Sequence, residues 1–314
     1  MSNTLITGAS GFVGANLARD LINTKNQIHI LVRNESDLWR LNDIIPKCNV
    51  HFVDLLNPIE IKNVIGEVKP NIIFHCATFG VYPNQKNEDK ISQTNVIGTK
   101  NLLLAQEKNT NLEKLVNLGS VFEYGSKTHS IDENDPTEGF DNYSKSKILQ
   151  SELIQDFHHK HNLPTVTCRI FSPYGKFEAS NRLISNTLIS IIKHKPIEII
   201  SRNAIRDFIF IDDVIDALKK LSLEPDIDGE IFNVGSGYPT SVEDMVNLIC
   251  KTTKTDPQII WHDENDREYD KSGAKGYANI SKIMKLDWKP KTTLENGLLQ
   301  TYHWFKNNIE NYPN

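Results

Sequence analysis

No uninterrupted apolar run in the sequence approaches the roughly 20 residues that a membrane span needs, and the opening MSNTLITG carries no basic stretch and no cleavage site. The expectation is a soluble, cytoplasmic protein with no membrane partner. Cysteine is scarce: Cys48, Cys76, Cys168 and Cys250 lie far apart and form no C-x-x-C pair, which excludes the common zinc spacings and reads as a set of buried thiols. The ten histidines contain no H-E-x-x-H pattern, and His158, His159 and His161 beside Lys160 read as a solvated helix face, so no metal is expected. Positive charge is not in excess. With 35 basic against 40 acidic residues the net charge is −5, so no nucleic-acid partner is expected and any phosphate ligand must be held by a local feature. Internal repeats and low-complexity tracts are also missing.

What is present is a globular chain of 314 residues, enough for one large domain or two. Short β-branched runs alternate with longer amphipathic stretches, the mark of βαβ units. Strands are expected at Thr4–Thr7, Ile28–Arg33, Val50–Asp54, Ile72–Cys76, Leu115–Leu118 and Thr165–Phe171. Helices are expected over Phe12–Ile22, Ile59–Val68, Ile91–Glu107 and Tyr143–His161. Six parallel strands fit an α/β fold of the Rossmann type, a doubly wound parallel sheet. After about Gly175 the elements become shorter and mixed: a helix near Leu183–His194, strands near Glu198–Ile200 and Phe208–Ile211, a helix from Asp213, a strand Ile231–Val234 and two more helices. The expected division is a dinucleotide-binding domain over 1–175 and a smaller mixed α/β substrate lobe over 176–314, with some chain crossing back. A cleft between the two is the expected substrate site.

Gly8, Gly11 and Gly14 in LITGASGFVGANL stand directly after the first strand and open the first helix. Glycines there allow a tight turn and a close approach of backbone to a pyrophosphate, whose charge suits the free N–H groups of the first helical turn, Phe12 and Val13 among them. The end of the second strand selects the dinucleotide, because an acid there binds a ribose 2′-OH and an arginine neutralises a 2′-phosphate. This strand ends Leu31-Val32-Arg33-Asn34 with no acid at Val32 or Arg33. Arg33 therefore favours NADP, with NAD the alternative if Arg33 is only a solvated strand-end charge. Asp54, before Leu55, either faces the adenine or serves a turn.

Tyr143 and Lys147 are four residues apart at the start of a long helix and project from one face. A phenol titrates near ~10 when unperturbed, and a neighbouring ammonium favours the phenolate, which suits general acid–base work. Lys147 is also placed to bond a nicotinamide ribose. Ser120, 23 residues before Tyr143, lies just beyond the carboxyl end of the fifth strand, the edge where open α/β sheets place ligands.

Together the glycine loop, Ser120, Tyr143 and Lys147 resemble the extended short-chain dehydrogenase/reductase family that acts on nucleotide sugars. The resemblance covers nearly the whole chain. It includes His75-Cys76-Ala77, Asn95 with Gly98 in TNVIGTKNLL, RIFSPYG at Arg169–Gly175, RDFIFIDDV at Arg206–Val214, FNVGSG at Phe232–Gly237 and the closing YANISKIMKLDWKPKTTLENGL. It implies catalytic Ser120, Tyr143 and Lys147. It also implies cofactor contacts from Leu55, Ala77, Asn95 and Phe171, substrate contacts from Ser120, Ser172, Arg206 and Arg267, a nucleotide-sugar substrate and a homodimer. Two departures stand out. Where related 4,6-dehydratases carry the acid and base for water elimination, this chain reads Ser120-Val121-Phe122, and Ser172 replaces the usual Asn of R-Y-F-N, which shortens its contact with substrate. The expected activity is a 4-keto-sugar nucleotide reductase. The alternatives are a nucleotide-sugar 4-epimerase and, from another class, a dinucleotide sensor that performs no chemistry.

Overall fold

The computed structural model describes residues 2–82, 84–106, 109–262 and 276–312. It opens with β1 (Asn3–Thr7), α1 (Phe12–Leu21), β2 (Gln27–Val32), β3 (Asn49–Phe52), α2 (Pro58–Val68) and β4 (Ile72–His75). It continues through α3 (Glu88–Ser92), α4 (Gly98–Gln106), β5 (Lys114–Ser120), α5 (Asn142–His161), β6 (Thr165–Ile170) and, further on, β7 (Ile231–Val234). These seven strands form one sheet in the order β7-β6-β5-β4-β1-β2-β3. The pairs β1–β2, β1–β4, β2–β3 and β4–β5 are parallel. Strands β4 and β5 are buried along their whole length, as expected of parallel strands covered on both faces. The chain moves outward from β1 to β3 and then returns to the other side of β1 with β4. That reversal opens a crevice at the carboxyl ends of β1 and β4.

Local chemistry sets the helix ends. Asn57 caps α2 by accepting from the amides of Ile59 and Glu60, with Pro58 in the first helical position. Asp141 and Ser144 form a reciprocal capping box at the start of α5, and Asn162 in the left-handed region (φ 52°) ends it.

Two expectations need correction. The helix foreseen over Ile91–Glu107 is α3 and α4 joined by a π-helical turn, Gln93–Ile97; the periodicity passes through such a turn because it adds only one residue to the ladder. The strand Ile231–Val234, assigned from chain order to the second lobe, joins the main sheet beside β6.

The chain divides into two compact units, each assembled from separate stretches. The first comprises Met1–Gly125, Pro136–Arg169 and Ile215–Phe232; the second comprises Ser126–Asp135, Ile170–Val214 and Asn233–Asn314. In the second, Ser172–Tyr174 pairs in parallel with Phe208–Phe210, and Ile205–Arg206 pairs antiparallel with Thr240–Ser241. Buried Asp207 knits this unit by accepting from the Ser236 amide and hydroxyl (both 2.6 Å), the Gly237 amide (3.0 Å) and the Ala278 amide (2.9 Å).

Candidate active site

The turn after β1 is shaped by two glycines that nothing larger can replace. Gly8 has φ +65°, and a Cβ there would stand 2.5 Å from the Ala77 amide nitrogen. A Cβ on Gly14 would overlap the Gly8 carbonyl oxygen, while the Gly11 amide closes the turn on that oxygen at 3.0 Å. Helix α1 then starts at Phe12 with no side chain capping its amino end, so the amides of its first turn, including Phe12 and Val13, and the positive end of its dipole suit a pyrophosphate.

Beside this cradle, Arg33 closes β2. Its Nε lies 3.2 Å from Glu35 Oε1, its side chain is 38% exposed, and its backbone amide donates to Ser36 Oγ at 3.0 Å. Arg40, not singled out from sequence, lies 4.5 Å over the Trp39 ring and donates to the Ser10 carbonyl of the glycine turn at 3.5 Å. Arg33 and Asp54 line a cavity of about 560 Å³ together with Glu35, Leu56, Asn57 and Glu60. Asp54 also accepts from the Leu56 amide at 2.9 Å, a turn role, and Leu55 packs into the core while its carbonyl accepts from Asn101 Nδ2 at 2.9 Å. Asn95 is fully buried in the π-turn. Its Oδ1 accepts from the Phe79 amide (2.8 Å) and the Thr78 hydroxyl (3.2 Å), and its Nδ2 donates to the Phe79 carbonyl and to Ser146 Oγ (both 2.8 Å). All four bonding positions of that amide go to protein, so Asn95 clamps the loop after β4 to α5.

Tyr143 lies in the first turn of α5 with its ring edge-on to Phe122, centroids 6.4 Å apart. Lys147 follows one turn later and is 2% exposed. Its Nζ donates to the Leu118 carbonyl on β5 and to Gln150 Oε1, which engages two of the three N–H bonds of the ammonium. Burial pulls its pKa down to about 8, with Glu123 and Cys76 opposing. Ser120, the last residue of β5, accepts from the Phe122 amide at 3.2 Å, and its own hydroxyl proton can still be donated. Strand β5 and the first two turns of α5 thus gather Ser120, Tyr143 and Lys147 at the carboxyl edge of the sheet.

Beneath them lies a charge pair that sequence reading did not assign. Glu123 is completely buried; its Oε1 accepts from the Ser120 amide at 2.7 Å, and its Oε2 accepts from Ser151 Oγ at 2.9 Å and from Arg169 Nε at 2.7 Å. Arg169 in turn lies 4.4 Å over the Tyr124 ring. The carboxylate is thereby committed to holding the strand end in place. At the adjacent position, Phe122 meets Phe140 edge-on with centroids 5.8 Å apart.

The remaining expected residues fall in the second unit. Phe171 is buried and its amide donates to the Val234 carbonyl at 3.0 Å. The Ser172 amide donates to the Asp207 carbonyl at 2.9 Å, and Arg206 Nη1 bonds the Ile205 carbonyl at 2.8 Å. Arg267 lies outside the described residues. Among the described residues no group of three or more His, Cys, Asp or Glu is arranged to hold a metal, and no helix is long and apolar enough to cross a membrane. Burial raises the Cys76 thiol to about 12, so it stays protonated.

Residues 4–235 match the model of the NAD dependent epimerase/dehydratase family. The chain is 27% identical to a dTDP-glucose 4,6-dehydratase of Haemophilus influenzae, over 97% of this chain and 98% of that one. It is 28% identical to a putative UDP-glucose 4-epimerase of Methanocaldococcus jannaschii, over 97% and 98%. Among solved structures, the UDP-glucuronic acid 4-epimerase of Bacillus cereus in complex with UDP-glucuronic acid and NAD superposes with a TM-score of 0.86 at 21% identity, covering 98% of this chain and 99% of that one.

Proposed function

The chain belongs to the NAD-dependent epimerase/dehydratase family of extended short-chain dehydrogenases/reductases, and from that membership we propose that it is an oxidoreductase acting at C4 of a nucleotide-activated sugar, with reduction of a 4-keto sugar as its reaction. The observation that carries this reading is the convergence of Ser120, Tyr143 and buried Lys147 at one strand end. Ser120 donates to the C4 oxygen and polarises it; Tyr143 gives that oxygen its proton; Lys147 turns its remaining N–H toward the phenol and the nicotinamide ribose. A bound nicotinamide supplies the hydride.

The glycine turn, Phe12, Val13 and Ala77 are the proposed dinucleotide contacts, with Arg33 and Asp54 on its adenosine side, Leu55 behind them, and Asn95 acting through the loop it clamps. The first unit would hold the dinucleotide. In the second, Phe171, Ser172 and Arg206 are the proposed contacts of cofactor and substrate, and Arg267 joins them by resemblance alone, its planar cation being apt for a diphosphate.

Dehydration is disfavoured although several relatives are named dehydratases. Phe122 has no proton to exchange, and Glu123, the nearest carboxylate in sequence, has both oxygens engaged, Oε1 by the Ser120 amide and Oε2 by the buried ion pair with Arg169. A pure sensor is disfavoured by the intact Ser120, Tyr143 and Lys147.

NADP is the proposed cofactor because no acid closes β2 and because the Nε of Arg33 is the atom that meets Glu35, leaving the two terminal nitrogens for a 2′-phosphate. Arg33→Ala is accordingly expected to raise KM for NADPH tenfold or more (~1.4 kcal/mol for one exposed charge-assisted contact) while NADH changes little. Equal effects on both would remove the assignment.

The second reading, a 4-epimerase holding NAD, is supported by the relative and the solved structure named 4-epimerases, and stoichiometry separates the two. A reductase given a 4-keto-sugar nucleotide consumes one NADPH per product and yields a single C4 configuration. Interconversion of two 4-hydroxy sugar nucleotides with no net change in nicotinamide absorbance would establish the epimerase instead.

The proposed homodimer rests on apolar side chains left exposed along the Gln93–Gln106 segment and α5. Ile97 and Leu104, two turns apart, and Leu149 are 45%, 42% and 50% exposed. Sedimentation at the mass of one chain, 35.7 kDa, would rule the dimer out.

A further inference from the structure

Beneath the site runs a continuous chain of buried hydrogen bonds that the proposed reaction does not use. Lys147 Nζ donates to Gln150 Oε1, and Gln150 Nε2 donates to Thr99 Oγ1 at 2.9 Å. Thr99 Oγ1 meets His75 Nε2 at 2.8 Å, His75 Nδ1 meets Thr7 Oγ1 at 2.7 Å, and Thr7 Oγ1 accepts from the Ala77 amide at 3.3 Å. None of the five side chains is more than 2% exposed.

The polarity of the chain is determined throughout. The Thr99 hydroxyl gives its proton to the Asn95 carbonyl at 2.7 Å, so its oxygen can only accept from Gln150 and from His75. His75 then carries its proton on Nε2, and its Nδ1 accepts the Thr7 hydroxyl proton. Full burial, with the charge of Lys147 adding to it, pulls the His75 pKa down to about 3, which keeps the ring in this neutral form. Because Gln150 must donate through Nε2, it has one admissible orientation and must present its carbonyl to Lys147. The far end is fixed where Thr7 precedes Gly8 and where Ala77 touches that glycine.

We propose that Gln150 is a positioning residue for Lys147: through Thr99 and His75 it ties the aim of the ammonium to the two loops that shape the glycine cradle. The proposal rests on the reading of Lys147 as the partner of Tyr143. The choice of an amide also matters. Other groups facing Lys147 are Glu123, already paired with Arg169, the Cys76 thiol, neutral His75 and, on its own helix, Tyr143. A neutral acceptor at position 150 adds no second carboxylate to fix the proton on the lysine.

The test uses the full chain labelled with ¹³C at lysine Cε, Lys147 being assigned by the resonance lost in Lys147→Met. Its titration midpoint is expected to rise by about one pH unit in Gln150→Glu and to fall by a similar amount in Gln150→Leu. The pH profile of turnover should move the same way, with kcat reduced about tenfold in Gln150→Leu and KM for the sugar nucleotide nearly unchanged. Folded variants whose Lys147 midpoints stay at the wild-type value, or move in the same direction, would overturn the proposal. Gln150→Glu is isosteric and carries the test alone if Gln150→Leu does not fold: an unmoved or lowered midpoint then overturns it. A wild-type protein that turns over no keto-sugar nucleotide would sink the functional reading and leave the titration result standing.

Discussion

Tyr143→Phe is expected to lower turnover by a factor of about 10² to 10⁴, roughly 3–5 kcal/mol of lost transition-state stabilisation, with dinucleotide affinity almost unchanged. The substitution removes one oxygen and keeps the ring that packs edge-on against Phe122, so the turn at the head of α5, fixed by Asp141 and Ser144, has no reason to rearrange. On the proposed mechanism Ser120 would still polarise the C4 oxygen, and Lys147 would keep its contacts with Leu118 and Gln150. What would disappear is the positioned proton donor, which water replaces poorly. KM for the sugar nucleotide should therefore change far less than kcat, the pattern of an interaction made in the transition state alone. Single-turnover kinetics beside a fluorescence titration of NADPH distinguishes the cases: an unaltered rate removes Tyr143 from the chemistry, and a matching loss of NADPH affinity makes it a binding residue.

The parts of this arrangement legible in the sequence are those specified by neighbours along the chain. Gly8, Gly11 and Gly14 declare a turn between a strand and a helix, and Tyr143 with Lys147 declares one helical face, because three- and four-residue spacings are local geometry. The parts not legible depend on distant pairing. The π-turn that buries Asn95 leaves the apolar rhythm of its helix nearly intact. Ile231–Val234 looks like any short buried strand, and only hydrogen bonds to β6 place it in the main sheet. Glu123 and Arg169 are 46 residues apart, and nothing in either segment announces the other. Gln150 reads as an ordinary polar helix residue until Thr99 fixes which end of its amide meets Lys147. Arg33 is the intermediate case: its position at the strand end is local and evident, but Glu35 at its Nε is a contact that strand-end spacing does not reveal.

The buried pair beneath Ser120 carries the largest expected effect on stability. Arg169→Met should lower the free energy of unfolding by about 3–5 kcal/mol, because it leaves the Glu123 carboxylate in the interior without the cation bonded to it, Lys147 acting on it through its field alone, whereas the attraction between two buried ions offsets only part of their own desolvation. The Ser120 amide and the Ser151 hydroxyl would remain on the carboxylate, which soften the loss without supplying a charge. Glu123→Leu alone should be comparably damaging, since it strands the guanidinium, which keeps its contacts with Tyr124 but loses its opposing charge. Combining the two should recover most of the loss, since a neutral, well-packed pair needs no compensation, and a double-mutant cycle in urea would show a coupling well above the ~0.5 kcal/mol of independent sites. Activity should separate from stability in the double variant. Glu123 Oε1 holds the backbone amide of Ser120, so a chain that folds without it lets the strand end drift from the phenol, and kcat should stay low at temperatures where the variant is fully folded. An Arg169→Met protein as stable as the wild type would mean that Glu123 is hydrated or protonated in the folded chain, and the account of how Ser120 is held would fall with it.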